Sequence, residues 1–122
     1  MEPFDLSEDG IMDNVKILSL KEIPQSLLII GGGIVGSEFA NIFSSFGVKV
    51  TIAEMLPGIL STEDEEVSKI IYNVFRRKGI DIFTSSKVEN LKRSGGKFMC
   101  TISSGDKITA DKILKSAGRK PN

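Results

Sequence analysis

The residues best suited to binding a ligand are glycines in the stretch LLIIGGGIVGSEFA, three of which are spaced as Gly31-x-Gly33-x-x-Gly36. Each of the three has a separate task in a nucleotide-binding loop. Gly31 permits a sharp turn, Gly33 leaves room for a pyrophosphate against the backbone, and Gly36 lets a helix pack against a strand. The N–H groups of the first helical turn, supported by the helix dipole, bind the phosphates in such a loop. The spacing predicts a dinucleotide site, although the pattern is weakly specific without its context.

Glu54 supplies the second half of this pattern, an acid at the end of the next predicted strand, about 20 residues after the glycines. A carboxylate there accepts hydrogen bonds from both hydroxyls of an adenosine ribose, and it repels a 2′-phosphate. No arginine or lysine occurs between Glu54 and Lys69 to bind such a phosphate. These features predict NAD rather than NADP. The alternative is that the glycines form only a tight turn and that Glu54 is solvated.

A β-α-β unit must position these residues. Residues 27–30 form a continuous apolar run, which is typical of a strand in the middle of a parallel sheet. A helix is predicted from Ile34 to a terminating Gly47, and the alternating residues 48–54 predict a second strand. The predicted apolar face of the helix consists of Phe39, Ile42, Phe43 and Phe46.

A second helix and a third strand follow. Thr62 as N-cap and Glu65 at the third helical position have the form of a capping box, and Gly79 ends the helix after three cationic residues. Residues 80–84 predict the third strand, and the β-α-β-α-β pattern favours a parallel sheet with right-handed crossovers. The predicted apolar stripe of the second helix consists of Val67, Ile70, Ile71, Val74 and Phe75.

The remainder of the chain predicts a different arrangement. Residues 88–94 and 97–103, with glycine turns at 95–96 and 105–106, indicate a small antiparallel meander, and residues 111–117 a last strand. Cys100 alternates with Phe98 and Ile102 on one face, so we expect it in the core. The fold class is therefore α/β, a Rossmann-like parallel sheet with a small antiparallel meander before the last strand. Residues 1–14 are a lead-in segment, residues 15–122 the NAD-binding domain, and residues 15–22 indicate a short helical turn.

Composition excludes several other functions. The 122 residues suit one domain, and 16 basic residues balance 16 acidic ones, so net charge indicates neither nucleic acid nor an anionic membrane as partner. With no histidine and one cysteine, the chain cannot form a Cys/His metal site, an internal disulfide or a dithiol centre. No apolar run reaches the roughly 18 residues of a membrane span. The acidic first residues lack the regions of a signal peptide, so a cytoplasmic location is expected.

The stretches SLKEIPQSLLIIGGGIVGSEFA and ADKILKSAGRKPN together resemble the pyridine nucleotide–disulfide oxidoreductases, and among them the dihydrolipoamide dehydrogenases. The resemblance runs from about Gly10 to Asn122. In that family a two-part FAD domain flanks an inserted NAD domain, and an interface domain follows. The resemblance implies that this chain is the NAD domain of a larger flavoenzyme. The family's FAD fingerprint, redox-active cysteine pair and catalytic histidine are not in this sequence.

The resemblance assigns roles to residues around the glycines. Glu38 corresponds to a glutamate near the nicotinamide that pairs with a lysine of the FAD domain; alternatively it is a first-turn acid favoured by the helix dipole. Ile34 stands where lipoamide-type members carry an aliphatic residue by the nicotinamide. Val88 matches a position whose backbone lies near the adenine.

The resemblance also covers the C-terminal residues. Ala117 and Gly118 match a backbone segment near the nicotinamide, the alternative being a plain exit from the last strand. Arg119 matches an arginine at the boundary with the FAD domain. Lys115 departs from the family, which has an apolar residue there, so this lysine must extend to solvent or be paired.

The resemblance implies a domain that holds NAD(H) with its nicotinamide aimed at a flavin carried elsewhere. Electrons would pass in the parent enzyme from dihydrolipoamide to a disulfide, then to FAD and to NAD⁺, while the chain alone binds NAD(H) without turnover. The parent is expected to be a homodimer within a 2-oxo acid dehydrogenase complex. The alternatives are an NADH oxidase, a mercuric or coenzyme A–disulfide reductase, or a stand-alone NAD-sensing module. No catalytic residue or metal ligand is expected here, and the expected cofactor-binding residues are Gly31, Gly32, Gly33, Ile34, Val35, Gly36, Glu38, Glu54, Val88, Ala117 and Gly118.

Overall fold

The computed structural model describes residues 10–60 and 64–116. They form three layers, in which a five-stranded sheet lies between a pair of α-helices and a separate three-stranded sheet. The elements in chain order are β1 (Ile11–Met12), a 3₁₀ helix (Lys16–Ser19), β2 (Ser26–Ile30), α1 (Ile34–Ser45), β3 (Lys49–Ala53), α2 (Glu65–Arg77), β4 (Asp81–Phe83), β5 (Val88–Ser94), β6 (Lys97–Ile102), β7 (Lys107–Ala110) and β8 (Lys112–Lys115).

The larger sheet has the order β1-β8-β2-β3-β4, and all its neighbouring pairs are parallel. From β2 the chain winds outward through α1 to β3 and through α2 to β4. It then builds the antiparallel sheet β5-β6-β7 and returns as β8 on the other side of β2. The strand order therefore reverses between β2 and β8, the kind of place where open α/β sheets bind ligands. The fold class predicted from the sequence is confirmed.

One apolar cluster is buried between the parallel sheet and the two helices. The residues of α1 that pack against this cluster differ in part from those predicted. The predicted face is half correct, because Phe39 and Phe43 pack against the cluster while Ile42 and Phe46 are 46% and 62% exposed. The buried centre of the helix consists instead of the small residues Gly36, Ser37 and Ala40. Small side chains let the helix backbone approach the sheet closely, which moves the large residues to its flanks.

The start of α2 also differs from the prediction. Asp64 is the N-cap, and its carboxylate accepts a 2.7 Å hydrogen bond from the Glu66 N–H, so Glu65 is the first helical residue and not the third. The capping box was wrong because an acid nearer the helix caps it, and Thr62 lies outside the described residues. The predicted stripe is correct at two of its five positions: Phe75 is buried and Ile71 packs on the cluster, whereas the other members, Val67, Ile70 and Val74, are exposed.

The second apolar cluster lies between the two sheets. Leu28 and Ile113 from the parallel sheet meet Phe98, Cys100 and Ile102 from β6, as the alternation predicted. Burial raises the pKa of the Cys100 thiol to about 11. A thiol with so high a pKa carries little thiolate at neutral pH, which fits a core residue and not a reactive one.

The predicted lead-in segment contains a strand. Ile11 and Met12 are buried and pair with Ile113 and Leu114 of β8, which makes them the edge of the parallel sheet. Two residues are too few to show a hydrophobic period, so this strand could not be predicted from local patterns. The helical turn predicted nearby is confirmed as the 3₁₀ helix. Neither α-helix of the described residues has the length and apolarity needed to cross a membrane.

Candidate nucleotide-binding site

The glycine-rich loop leaves β2 at the point where the strand order reverses. Its first residue is tied to β3, because the Gly31 N–H donates a 2.8 Å hydrogen bond to the Ala53 carbonyl. On the other side, the Ser116 N–H donates to the Ile30 carbonyl at 2.9 Å. The carboxyl ends of β3, β2 and β8 therefore meet around the loop.

Three of the loop's glycines are required by the fold itself. Gly31 has a φ of +111°, a conformation that side chains disfavour. A β-carbon on Gly32 would lie 2.7 Å from the Ile59 side chain. A β-carbon on Gly36 would lie 2.2 Å from the Gly31 carbonyl oxygen and 2.6 Å from Ser116 Oγ. The predicted close packing at Gly36 is thus present, and Gly32 proves to be a packing position as well.

Gly33 is the exception, since nothing in the described part of the chain explains why it is glycine. Its φ of −77° and ψ of −165° suit any residue, and a β-carbon built on it has no neighbour within 4 Å among residues 10–60 and 64–116. It is also the N-cap of α1, where a serine or an aspartate would be the usual stabilising choice. A helix leaves its first four N–H groups without a partner inside the helix. This open helix start is suited to an anion that contacts the backbone.

Glu54 extends from the end of β3 to the same loop. One carboxylate oxygen, Oε1, accepts a 2.6 Å hydrogen bond from the Gly32 N–H, and the other, Oε2, accepts a 2.8 Å bond from the Leu56 N–H. The side chain is half-buried and ordered by the backbone, so the alternative of a merely solvated Glu54 does not hold. Each oxygen has capacity for a further hydrogen bond, because a carboxylate oxygen offers two lone-pair positions.

Sequence reasoning missed three residues that shape the loop. The Gly32 carbonyl accepts a 2.7 Å bond from the Leu60 N–H and a 3.3 Å bond from the Ser37 hydroxyl. The Ser116 hydroxyl donates to the carbonyls of Gly31 at 3.0 Å and of Ile30 at 3.2 Å. Ser37 directly follows the glycine pattern and could have been examined, whereas Leu60 and Ser116 reach the loop only through tertiary folding.

The other expected residues divide between two places. Ile34 and Glu38 are exposed on α1, where both line a groove of about 580 Å³ between α1 and α2. Val35 is half-buried in the first turn of α1.

Val88 is buried at the start of β5. It follows two residues after Ser86, whose N–H donates a 2.9 Å hydrogen bond to the Glu54 carbonyl, so this part of the chain lies beside Glu54. The remaining predicted residues, Ala117, Gly118 and Arg119, lie outside the described part of the chain.

Lys115 lies at the end of β8, in register with Ile30 of β2. It is half-buried, and this partial burial lowers its pKa. Its charge is not isolated, since the lysine takes part in a further interaction. The predicted last strand is correct through this position despite the polar residue.

Comparisons with known proteins show which family the sequence is similar to. The sequence profile described as pyridine nucleotide-disulphide oxidoreductase matches residues 4–122. The chain is 38% identical over 120 residues to a dihydrolipoyl dehydrogenase of Mycobacterium leprae, covering 96% of this chain and 26% of that protein. A dihydrolipoyl dehydrogenase of Bacillus subtilis is 38% identical over 124 residues, with the same coverage. The chain thus spans about a quarter of the length of these relatives.

Solved structures are similar over the whole chain. The HOCl-induced flavoprotein disulfide reductase RclA of Escherichia coli superposes with a TM-score of 0.87 at 32% identity, covering 100% of this chain and 28% of that one. A water-forming NADH oxidase of Lactobacillus brevis, solved with bound NADH, has a TM-score of 0.83 at 20% identity, covering 96% of this chain and 27% of that one. This second likeness concerns the fold alone.

Proposed function

This chain belongs to the pyridine nucleotide-disulphide oxidoreductase family, and we propose that within it the chain is the domain that binds NAD(H). The observation that carries the proposal is Gly33, the one glycine of the loop for which neither conformation nor packing gives a reason. A pyrophosphate seated on the start of α1 supplies that reason, because a side chain at Gly33 would occupy its place.

The residues around the loop fit a dinucleotide. The backbone N–H groups of the first turn of α1 are donors for the phosphates, and the helix dipole adds a favourable field. Glu54 has its carboxylate oxygens fixed by the backbone, and their remaining lone pairs can accept the two ribose hydroxyls of the adenosine half. These fixed positions lower the ordering cost of binding.

Glu54 also supports NAD over NADP. A 2′-phosphate carries about −1.5 to −2 charges, and two unit charges about 4 Å apart at an effective dielectric near 20 interact by roughly 4 kcal/mol. Screening reduces this penalty, and we expect NADH to bind about 10- to 100-fold more tightly than NADPH. Calorimetric titration of the chain with both nucleotides tests this, and equal affinities would contradict the assignment.

The nicotinamide half of the site involves α1. Ile34 and Glu38 are exposed there, and we assign them to the nicotinamide side, facing an FAD domain carried by the rest of a parent enzyme. NAD(H), when bound, supplies the hydride chemistry, whereas this domain binds and orients it. The parent we propose is a dihydrolipoamide dehydrogenase, which is supported by the names of relatives at 35–38% identity. Its homodimeric state and its place in a 2-oxo acid dehydrogenase complex are further parts of this proposal. Ala117 and Gly118 remain proposed contacts on this side.

The chain alone is expected to bind but not to turn over. The single cysteine is buried and no histidine is present, so neither thiol exchange nor proton transfer to a dithiol has a residue here. Purified chain should be colourless, bind NADH in the micromolar to millimolar range, and show no activity with dihydrolipoamide and NAD⁺. Yellow protein with bound flavin, or turnover above a heat-treated control, would contradict this.

A second candidate parent is a flavoprotein disulfide reductase with another substrate. The similarity of the whole chain to RclA favours it as an alternative, at an identity of 32%. Since the NAD-binding role is common to both candidates, they differ in residues beyond this domain. Assay of the parent enzyme with dihydrolipoamide separates them.

A further inference from the structure

We infer that Ser116 is a positioning residue for the nucleotide phosphates, because its hydroxyl fixes the glycine-rich loop in the conformation that binds them. The inference rests on the proposed binding of NAD(H) at this loop. Ser116 follows β8, whereas the loop follows β2, so the contact spans the point where the strand order reverses.

The peptide group between Gly31 and Gly32 is held at both ends. Its carbonyl oxygen accepts the 3.0 Å hydrogen bond from Ser116 Oγ, and its N–H donates the 2.6 Å bond to Glu54 Oε1. The next peptide group is held through its carbonyl, which accepts from the Leu60 N–H at 2.7 Å. Beyond that carbonyl lies the open helix start at Gly33.

These bonds matter because three consecutive glycines have more backbone freedom than any other tripeptide. A free loop loses that freedom when it closes on a ligand, which weakens binding, whereas a fixed loop does not. The Ser116 hydroxyl is neutral and has no charge to offer the phosphates directly. Its contribution is to keep the Gly31 carbonyl turned towards β8 while the Gly32 N–H is bonded to Glu54, so that the N–H groups after Gly32 remain for the phosphates.

A purely structural role for Ser116 would be to join β8 to β2. Ser26 performs that task at the opposite end of the same two strands, where its Oγ accepts a 2.9 Å hydrogen bond from the Asp111 N–H. Both serines are partly buried and each bridges β2 and β8. Ser26→Ala is therefore a matched control for Ser116→Ala, since it loses a similar bond away from the loop.

The test compares both variants with the unmutated 122-residue chain at 25 °C. Calorimetry measures the dissociation constants of NADH and of ADP-ribose, which lacks the nicotinamide, and thermal unfolding measures stability. We expect Ser116→Ala to raise both dissociation constants about fivefold, since one neutral hydrogen bond contributes roughly that much. Ser26→Ala should lower the midpoint of thermal unfolding about as much as Ser116→Ala does, because each variant loses one neutral hydrogen bond. It should leave both dissociation constants within about twofold of those of the unmutated chain.

Amide hydrogen exchange of Gly32 without ligand gives a second readout. Its N–H should exchange faster in Ser116→Ala than in the unmutated chain, and at an unchanged rate in Ser26→Ala. If the unmutated chain binds NADH and Ser116→Ala binds it equally well, or if Gly32 exchange is unaffected, the inference is overturned while the proposed function stands. If the unmutated chain binds neither ligand, the proposed function fails, and the inference fails with it.

Discussion

Each end of the boundary between β2 and β8 has a nearby carboxylate that accepts hydrogen bonds from backbone N–H groups. The two ends differ in the charge and the space that they leave for a ligand. At the amino end, Asp111 accepts hydrogen bonds from the N–H groups of Gln25 and Ser26 at 3.1 and 3.2 Å. The ammonium of Lys97 then pairs with it at 2.6 Å. At the carboxyl end, Glu54 extends from the adjoining strand β3 to the loop after β2 and likewise accepts two backbone N–H bonds.

The difference lies in what surrounds each acid. The charge of Asp111 is neutralised by Lys97, so Asp111 has a structural role that requires no ligand. Among the described residues, Glu54 is held by backbone N–H groups, beside the open space at Gly33. We infer from this comparison that a fixed carboxylate marks a binding site only where the described residues supply no counter-charge and where space for a ligand adjoins it. Five substitutions, at Gly33, Glu54 and Asp111, test this distinction.

Gly33→Val should have the largest effect, because its side chain fills the open space at the carboxyl end. We expect NADH affinity to fall by about 100-fold or more, since the loss includes most phosphate contacts. The extended backbone at Gly33 accepts valine, so the far-ultraviolet circular dichroism spectrum should be nearly unchanged. Calorimetry and circular dichroism on the same sample measure both.

Gly33→Ala is the graded control, since it adds a single methyl group and should weaken binding by a smaller factor. If Gly33→Val binds NADH as the unmutated chain does, the open space is not the phosphate site. The two ends of the boundary would then have the same, purely structural character.

Glu54→Ala and Asp111→Ala should have similar effects on stability, but only Glu54→Ala should change the preference between NADH and NADPH. Each removes an acid that accepts two backbone bonds, which lowers the free energy of unfolding by about 2 kcal/mol. Glu54→Ala should also reduce the preference for NADH over NADPH by about tenfold, whereas Asp111→Ala should leave it unchanged. Urea denaturation and nucleotide titration provide the measurements.

A preference that survives in Glu54→Ala would remove Glu54 from the ribose site. A preference lost in Asp111→Ala would show that binding depends on the whole boundary, and the contrast between its two ends would disappear.

The smallest expected effect concerns acid pH. The hydrogen bond from Lys97 is the main cause that lowers the pKa of Asp111 below its usual value, with the charge of Lys97 assisting. Because the native pKa is depressed, this stabilisation is complete above the ordinary aspartate value near 4 and is lost as the pH falls through the lower native value. Asp111→Asn should therefore make stability less dependent on pH in this window. Urea midpoints over about pH 2 to 5 test it, and an unchanged slope would contradict the assignment.

The sequence predicted the parts of the fold that depend on local patterns. The strands around residues 27–30 and 48–54, the meander and both helix-ending glycines, Gly47 and Gly79, are where the pattern placed them. The helix faces were only half correct, since burial follows how closely each helix approaches the sheet and not the size of its apolar residues. In α1 that approach is set by Gly36 and Ala40.

The residues of the candidate site could likewise be predicted only where they belong to a local sequence pattern. The glycine spacing and Glu54 are close in sequence and belong to one β-α-β unit, so their juxtaposition could be predicted. Ser116 is 85 residues from Gly31, and it reaches the loop only because β8 returns beside β2. No local pattern contains that contact. Ala117, Gly118 and the roles of Ile34, Glu38 and Val88 stay predictions.

The single thiol, Cys100, gives the chain a built-in probe of its own opening. It is the chain's one cysteine and lies between the two sheets, where burial raises its pKa to about 11. Alkylation therefore requires these sheets to separate, and its rate reports how often they do. A ligand that binds only the closed form slows that opening by a factor of 1 + [L]/Kd. Protection of Cys100 by a nucleotide would thus record binding at the carboxyl ends of β2, β3 and β8 with no label added to the site.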